Sequence, residues 1–320
     1  MHKMLFTLWD RAGMALVFVL LFVGCCLFVP RFLTWYNMTG LALSVSMVGM
    51  VACTMLLCLA SGDFDLSVES TVACSGVLAA VVINSIAPGP LAVAAGIAAG
   101  VLAGGVVGLF NGWVIAVLGI NALITTLATM QIVRGLGFLV SGGSSVGISQ
   151  PGFFALGQSS FLGFPTPVWI TVACFVVFGL LLHKTVFGRN CLAIGGNAEA
   201  ARLVGINVER TKLVIFTLQG LMAGLAGVVL ASRITSGQPN TSAGFSLDVI
   251  SACVLGGVSL SGGVGSILGV LVGVLIMGTV QNAMNLCNVP PFWQYIARGG
   301  ILLAAVLFDQ LKRGRRRNLI

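Results

Sequence analysis

The chain has 320 residues, of which 58% are hydrophobic and only 8% charged, with a mean hydropathy of +1.09 and a formal net charge of +8. A soluble domain carries about 25% charged residues, so this composition excludes a water-soluble globular fold and points to an all-α polytopic membrane protein. The 43 glycines, many in small-xxx-small spacing, favour closely packed transmembrane helices over a β-barrel, and the net charge reads as membrane topology rather than nucleic-acid binding.

A helical span needs about 20 residues, and the chain divides into about ten apolar segments. Ala12–Val29 is too long for the core of a signal peptide, and no small-x-small site precedes Pro30-Arg31, so it reads as the first span. Trp35 and Tyr36 follow in a loop suited to an interface. Gly40–Ala60 is the second span. It ends in Asp63, Asp65 and Glu69, three carboxylates in seven positions. Asp65 is placed to cap a helix beginning at Leu66, with Glu69 in its first turn. Direct contact with a transported molecule and a proton relay are the alternatives for this cluster.

Val68–Ile83 is the third span and Leu91–Leu118 the fourth. On the fourth, Gly96, Gly100, Gly104 and Gly108 lie four apart and share one face, across which helices can approach closely. Ala122–Val140, the fifth, carries Thr125, Thr126, Thr129, Gln131 and Arg134. Thr125, Thr129 and Gln131 either line a path or bond between helices, and Arg134 belongs in the bundle interior or near the outer end. Residues 141–166 form an outer loop able to hold a short re-entrant or surface helix. Pro167–Leu182 and Leu213–Ala231 are the sixth and seventh spans. The polar turn SGQPNTSAG, residues 236–244, precedes a short Gly-broken segment, Phe245–Gly257, of the kind seen in discontinuous transporter helices. Ile267–Met284 and Ile296–Phe308 complete the set. Asp65-Leu66-Ser67-Val68 is loosely echoed by Ser246-Leu247-Asp248-Val249, and Asn111 by Asn282, which fits two related halves with broken helices.

Between the sixth and seventh spans lies KTVFGRNCLAIGGNAEAARLVGINVERTK, residues 184–212, with seven Lys, Arg, Asp and Glu residues. Such a stretch cannot lie in hydrocarbon, where one charge costs roughly 2.5 kcal/mol or more. Gly195-Gly196-Asn197 reads as a turn. Ala198–Leu203 then reads as a short helix capped by Asn197, with Glu199 in its first turn and Glu199 and Arg202 on one side. Ten spans put both termini on one side. If that side is the cytoplasm, twelve of the sixteen Lys and Arg residues face in, counting Lys3, Arg11 and the basic tail 309–320. Arg31, Arg134, Arg233 and Arg298 remain outside or within the bundle. The outer loops 141–166 and 234–244 are then positioned to meet a soluble partner.

The nine cysteines read mostly as small buried hydrophobes. The chain holds no nucleotide-binding G-x-x-x-x-G-K-[ST] segment, no clustered metal ligands and no potassium-filter signature. These absences, with few acidic residues and two histidines, weigh against an enzyme, and an intramembrane enzyme stays as an alternative to a transport subunit. The rival class is an ion-coupled secondary carrier using Asp63, Asp65 or Glu69.

The stretches DLSVES (65–70), NALITTLATMQIVRG (121–135), AIGGNAEAARLVGINVERTK (193–212), SGQPN (236–240) and SACVLGGVSLSGGVGS (251–266) together resemble the permease subunits of ATP-binding-cassette importers for ribose, arabinose, galactose and related monosaccharides. The resemblance runs over nearly the whole chain, a single permease domain spanning residues 1–320. The second and last stretches are most similar to the L-arabinose members. It implies a multi-pass protein of the bacterial inner membrane that binds no cofactor of its own. The partners it implies are cytoplasmic ATPase subunits using ATP and Mg, a periplasmic sugar-binding protein and a second permease copy. It also implies that residues 184–212 form the coupling loop, with Gly196, Asn197, Glu199, Ala200, Arg202 and Gly205 at the ATPase interface. Asp65, Glu69, Thr125, Thr129, Gln131 and Asn282 are the candidate pathway or structural polar residues. Glu69 departs from the pattern the resemblance implies, in which Gly usually stands at that place, as DLSVGS.

Overall fold

The computed structural model describes the backbone of residues 2–317 and the side chains of residues 13–307 and 310. Lys3, Arg11 and the basic residues of the 309–320 tail lie outside the described side chains. The helices are α1 (His2–Phe28), α2 (Trp35–Ala60), α3 (Val68–Ser85), α4 (Pro90–Ala116), α5 (Ala122–Ser141), α6 (Pro151–Gln158), α7 (Thr166–Lys184), α8 (Val186–Gly196), α9 (Ala198–Leu203), α10 (Val208–Ile234), α11 (Phe245–Leu255), α12 (Ile267–Leu286) and α13 (Pro291–Arg317). Every one of the ten expected spans is a helix. Among the described residues, seven helices are long and apolar enough to cross a membrane, and α11, with 11 residues, is half-length. The strands are two-residue stitches. β1 (Val146–Gly147) pairs with β4 (Ser236–Gly237), and β2 (Ser160–Phe161) with β3 (Phe164–Pro165).

Several boundaries differ from the sequence expectation, each for a local reason. α2 starts at Trp35, because Thr34 caps it by accepting from the Asn37 N–H. Trp35 and Tyr36 are therefore helical. α13 starts at Pro291, where proline's fixed φ suits the first helical position. α3 starts at Val68, not Leu66, so Asp65 is not its cap. Instead the Asp65 carboxylate accepts from the Ser67 N–H at 2.8 Å and from the Ser67 hydroxyl at 2.6 Å, holding the turn before the helix. Gly195 and Gly196 end a helix, α8, rather than forming a turn. Seven of the nine cysteines are buried, with Cys26 partly exposed and Cys287 exposed.

The core is built around α2, whose residues from Gly49 to Ala60 are all buried. α3 packs on α4, α5 and α10, while α11 packs on α12, α13 and α2. Exchanging α2 with α10, α3 with α11, α4 with α12 and α5 with α13 maps the first set of contacts onto the second. α2 ends, and α10 begins, at the end of the bundle where Asp63 pairs with Lys212, so the two run antiparallel and the halves are inverted relative to each other. An ion pair repeats with them: Glu69 of α3 meets Arg134 of α5, and Asp248 of α11 meets Arg298 of α13. The counterpart of Asp248 is thus Glu69, whereas the sequence echo set Asp248 against Ser67, two residues away. The two echoed asparagines also differ in role. Asn111 donates to the Ser67 hydroxyl, whereas Asn282 exchanges amide bonds with Asn37.

The glycine face of α4 packs as its spacing predicts. A Cβ on Gly104 would sit 2.3 Å from the Gly220 carbonyl, and one on Gly108 would sit 2.1 Å from that of Phe216. Backbone meets backbone here, as small residues allow. Gly108→Val should therefore force α4 off α10. Overpacking typically costs about 1–3 kcal/mol, so a lowered midpoint of thermal unfolding in detergent is expected. Gly135→Val, at a helical position with open space around it, should leave that midpoint unchanged.

Candidate functional site

The charged stretch 184–212 folds into α8 and α9 followed by the first turn of α10. Asn197 caps α9 as its sequence suggests, its side-chain oxygen accepting from the Ala200 N–H at 3.0 Å. Gly205 ends the unit at φ +85°, a conformation that favours glycine. Ala201, Ile194 and Val208 form a small apolar cluster that clamps α9 onto α8 and α10. Cys191 is fully buried behind them, and burial pushes its thiol up to about 12, so it acts as a packed hydrophobe. The opposite side is open: Gly196, Asn197, Glu199, Ala200, Arg202 and Gly205 are all exposed. Arg202 pairs with Glu209 at the start of α10 rather than with Glu199.

Sequence reading missed two residues of this surface. Leu203 is 89% exposed and Val204 77%. Two bare apolar side chains on a charged projection are the kind of feature that marks an interaction site. Their signal in sequence is slight, because they fall in a helical spacing that fits core packing equally well.

The unit is seated on the membrane helices through one close contact. The Ala60 carbonyl, at the end of α2, accepts from the Gly263 N–H at 2.9 Å. The α-carbon of Gly195 leaves no room there, since a Cβ would lie 1.9 Å from that carbonyl oxygen. The breaks at 61–67 and 256–266 therefore meet beneath α8. Lys212 locks the same end by pairing with Asp63 at 2.7 Å, both side chains largely buried.

Deeper in the bundle, the extra carboxylate Glu69 has a defined set of partners. One oxygen pairs with Arg134 at 3.4 Å; the other accepts from the Gly244 N–H at 2.9 Å and the Ser246 hydroxyl at 3.3 Å. Arg134 also donates to the carbonyls of Pro239 and Thr241, both at 2.8 Å. The polar turn 236–244 is thus drawn into the protein and fixed at the start of α11. Thr125 and Thr129 are buried on the α5 face that carries Gly137 against Cys74 of α3, while Gln131 is exposed and does not join them. Asn282 is bonded to Asn37 at the far ends of α12 and α2. At the end opposite α8, β1 and β4 stitch the loops 141–166 and 234–244 together, and α6 provides the short helix anticipated there. Among the described residues, no group of three His, Cys, Asp or Glu residues could hold a metal ion.

Comparison with known proteins returns a family described as branched-chain amino acid transport system / permease component, matching residues 37–306. The L-arabinose transport system permease of Escherichia coli is 61% identical over 312 residues, covering 98% of this chain and 94% of the relative. The L-arabinose ABC transporter permease of Azospirillum brasilense is 58% identical over 96% of this chain and 90% of its own. The ribose import permease of Bacillus subtilis is 41% identical over 88% and 87%. No solved structure matches. With α3 to α12, both breaks and the projecting α8–α9 unit inside the matched region, the chain belongs to this family of ATP-binding-cassette permease subunits.

Proposed function

We propose that the chain is the sugar-translocating subunit of an ATP-driven importer in the bacterial inner membrane and that its cargo is L-arabinose. The observation that carries this reading is the 61% identity to an L-arabinose permease along 98% of the chain. Ribose or galactose is the alternative cargo within the same class; the ribose relative is more distant, at 41%. An ion-coupled carrier is less well supported. Asp63 and Glu69 are held by Lys212 and Arg134, and Asp65 is bonded to Ser67, so each candidate carboxylate already has a structural partner.

In this reading α8 and α9 face the cytoplasm, as do both termini, and the exposed side of α9 enters a groove of an ATPase subunit. ATP and Mg are bound there, and none by this chain. Closure of the ATPase pair moves α9, and the Gly195–Ala60 seat passes the movement to α2 and to the 256–266 break. A second copy of the chain completes the membrane unit. The stitched loops at the other end receive a periplasmic sugar-binding protein, and uptake that needs no such protein would count against that docking face.

Ala200 is exposed on α9 and small, so Ala200→Trp adds bulk at the proposed groove without entering the fold. It should abolish most ATP-driven uptake in proteoliposomes holding the ATPase partner, while insertion of the permease stays normal. Glu199→Ala should do far less, because an exposed ion pair is worth about 0–1 kcal/mol. Full uptake and full ATPase stimulation in Ala200→Trp would remove α9 from the coupling role.

Cargo identity is tested in the same vesicles with labelled L-arabinose, D-ribose, D-galactose and L-leucine. L-Arabinose should be taken up at the highest rate. Preference for ribose or galactose would reject arabinose and keep the class, while preference for leucine would reject the sugar reading.

A further inference from the structure

The two ion pairs related by the inverted halves are not equivalent. Glu69–Arg134 is saturated: both carboxylate oxygens are used and the guanidinium also holds two carbonyls. Asp248–Arg298 has a single contact, Oδ2 to Nη1 at 3.0 Å. The buried Nε of Arg298 has no hydrogen-bond partner, and among the described residues nothing engages Oδ1 of Asp248. A cavity of about 120 Å³ adjoins this pair, lined also by Leu247, Ser251, Tyr295 and Leu302. A water needs roughly 10–15 Å³ measured in this way, so the space holds several waters or one small ring.

The place of the pair says what can surround it. Arg298 is seven residues into α13, about 10 Å along the helix at 1.5 Å per residue. Tyr295, on the same cavity, is 65% exposed, so the cavity opens to the protein surface beside α13. Charged side chains there face protein or a water-filled passage rather than lipid. The lining also sets what it can bind. Arg298 repels cations and Asp248 repels anions, whereas a neutral polyol offers each hydroxyl as donor and acceptor at once. The guanidinium carbon lies 5.9 Å from the centre of the Tyr295 ring, and that ring provides an apolar face for the C–H side of a sugar.

We propose that the cavity between α11 and α13 is a subsite of the translocation path in which Asp248, Arg298 and Tyr295 hold a neutral monosaccharide in transit. The proposal rests on the importer reading above and assigns a cargo contact within it. It also explains why this ion pair, unlike its counterpart, is left with bonds to make.

The test uses the complete importer in proteoliposomes and labelled L-arabinose. Asp248→Asn and Arg298→Gln should each lower uptake at least about tenfold, the effect of losing one charge-assisted hydrogen bond. Tyr295→Leu should raise the KM for uptake several-fold. An ion pair that only fastens α13 to α11 works in either direction, so the exchange D248R/R298D distinguishes the two roles. The exchanged protein is expected to elute as a monodisperse species and still to transport poorly. Restoration of wild-type uptake by the exchange, or a wild-type KM in Tyr295→Leu, overturns the subsite. If the charge variants aggregate, Tyr295→Leu and Ser251→Ala keep the pair and decide by their KM. Wild-type vesicles that take up no sugar overturn the importer reading and the subsite together, whereas wild-type uptake unmoved by the substitutions overturns the subsite alone.

Discussion

The seating of Gly195 against the Ala60 carbonyl is the contact on which the arrangement of this protein depends. Only a residue without a side chain fits there, and the hydrogen bond from Gly263 to the same carbonyl brings a third segment to the point. The end of α2, the break before α12 and the α8–α9 projection are joined at one place. α2 is buried on all sides from Gly49 to Ala60, so it has no freedom to bend independently of its neighbours. In the proposed coupling role, a push on α9 would be passed into the bundle rather than absorbed locally, because packed interiors shift between discrete arrangements rather than deforming smoothly.

The second constraint is the cost of charge and of free backbone groups in a membrane. Broken helices expose N–H and C=O groups that lipid cannot satisfy, so they persist only where protein covers them. Glu69 and Arg134 do this for the turn that leads into α11. The guanidinium takes two carbonyls of that turn and the carboxylate takes an N–H and a hydroxyl. Glu69 is therefore part of a network joining α3, α5 and the start of α11. Asp248 and Arg298 occupy the related position in the other half with far fewer bonds, and a cavity lies beside them.

Features carried by local spacing were legible in the sequence. The Asn197 cap, the short helix after it and the glycine face of α4 all follow from residues within four positions of one another, and each stands where the spacing put it. Features made by distant partners were not. Glu69 finds partners 65 and 175 residues away, and Asn282 finds Asn37 at 245. Nothing near these residues in the chain indicates such pairings. The Arg202 partner is a related case: Glu199 is nearer in sequence on the same helix, but the turn at Gly205 brings Glu209 back over α9. The exposure of Leu203 and Val204 was hidden because apolar residues at helical spacing look alike whether they are covered or bare.

The central claim, that force from the α8–α9 unit reaches the transport path through the Gly195 seat, is tested most directly by the amount of sugar moved per ATP hydrolysed. Gly195→Val, assembled with the ATPase and the sugar-binding protein in proteoliposomes, displaces α8 from the Ala60 carbonyl and leaves the exposed face of α9 intact. The account predicts that the ATPase still binds and hydrolyses ATP while sugar moved per ATP falls well below the wild-type value. A wild-type ratio in this variant would contradict it.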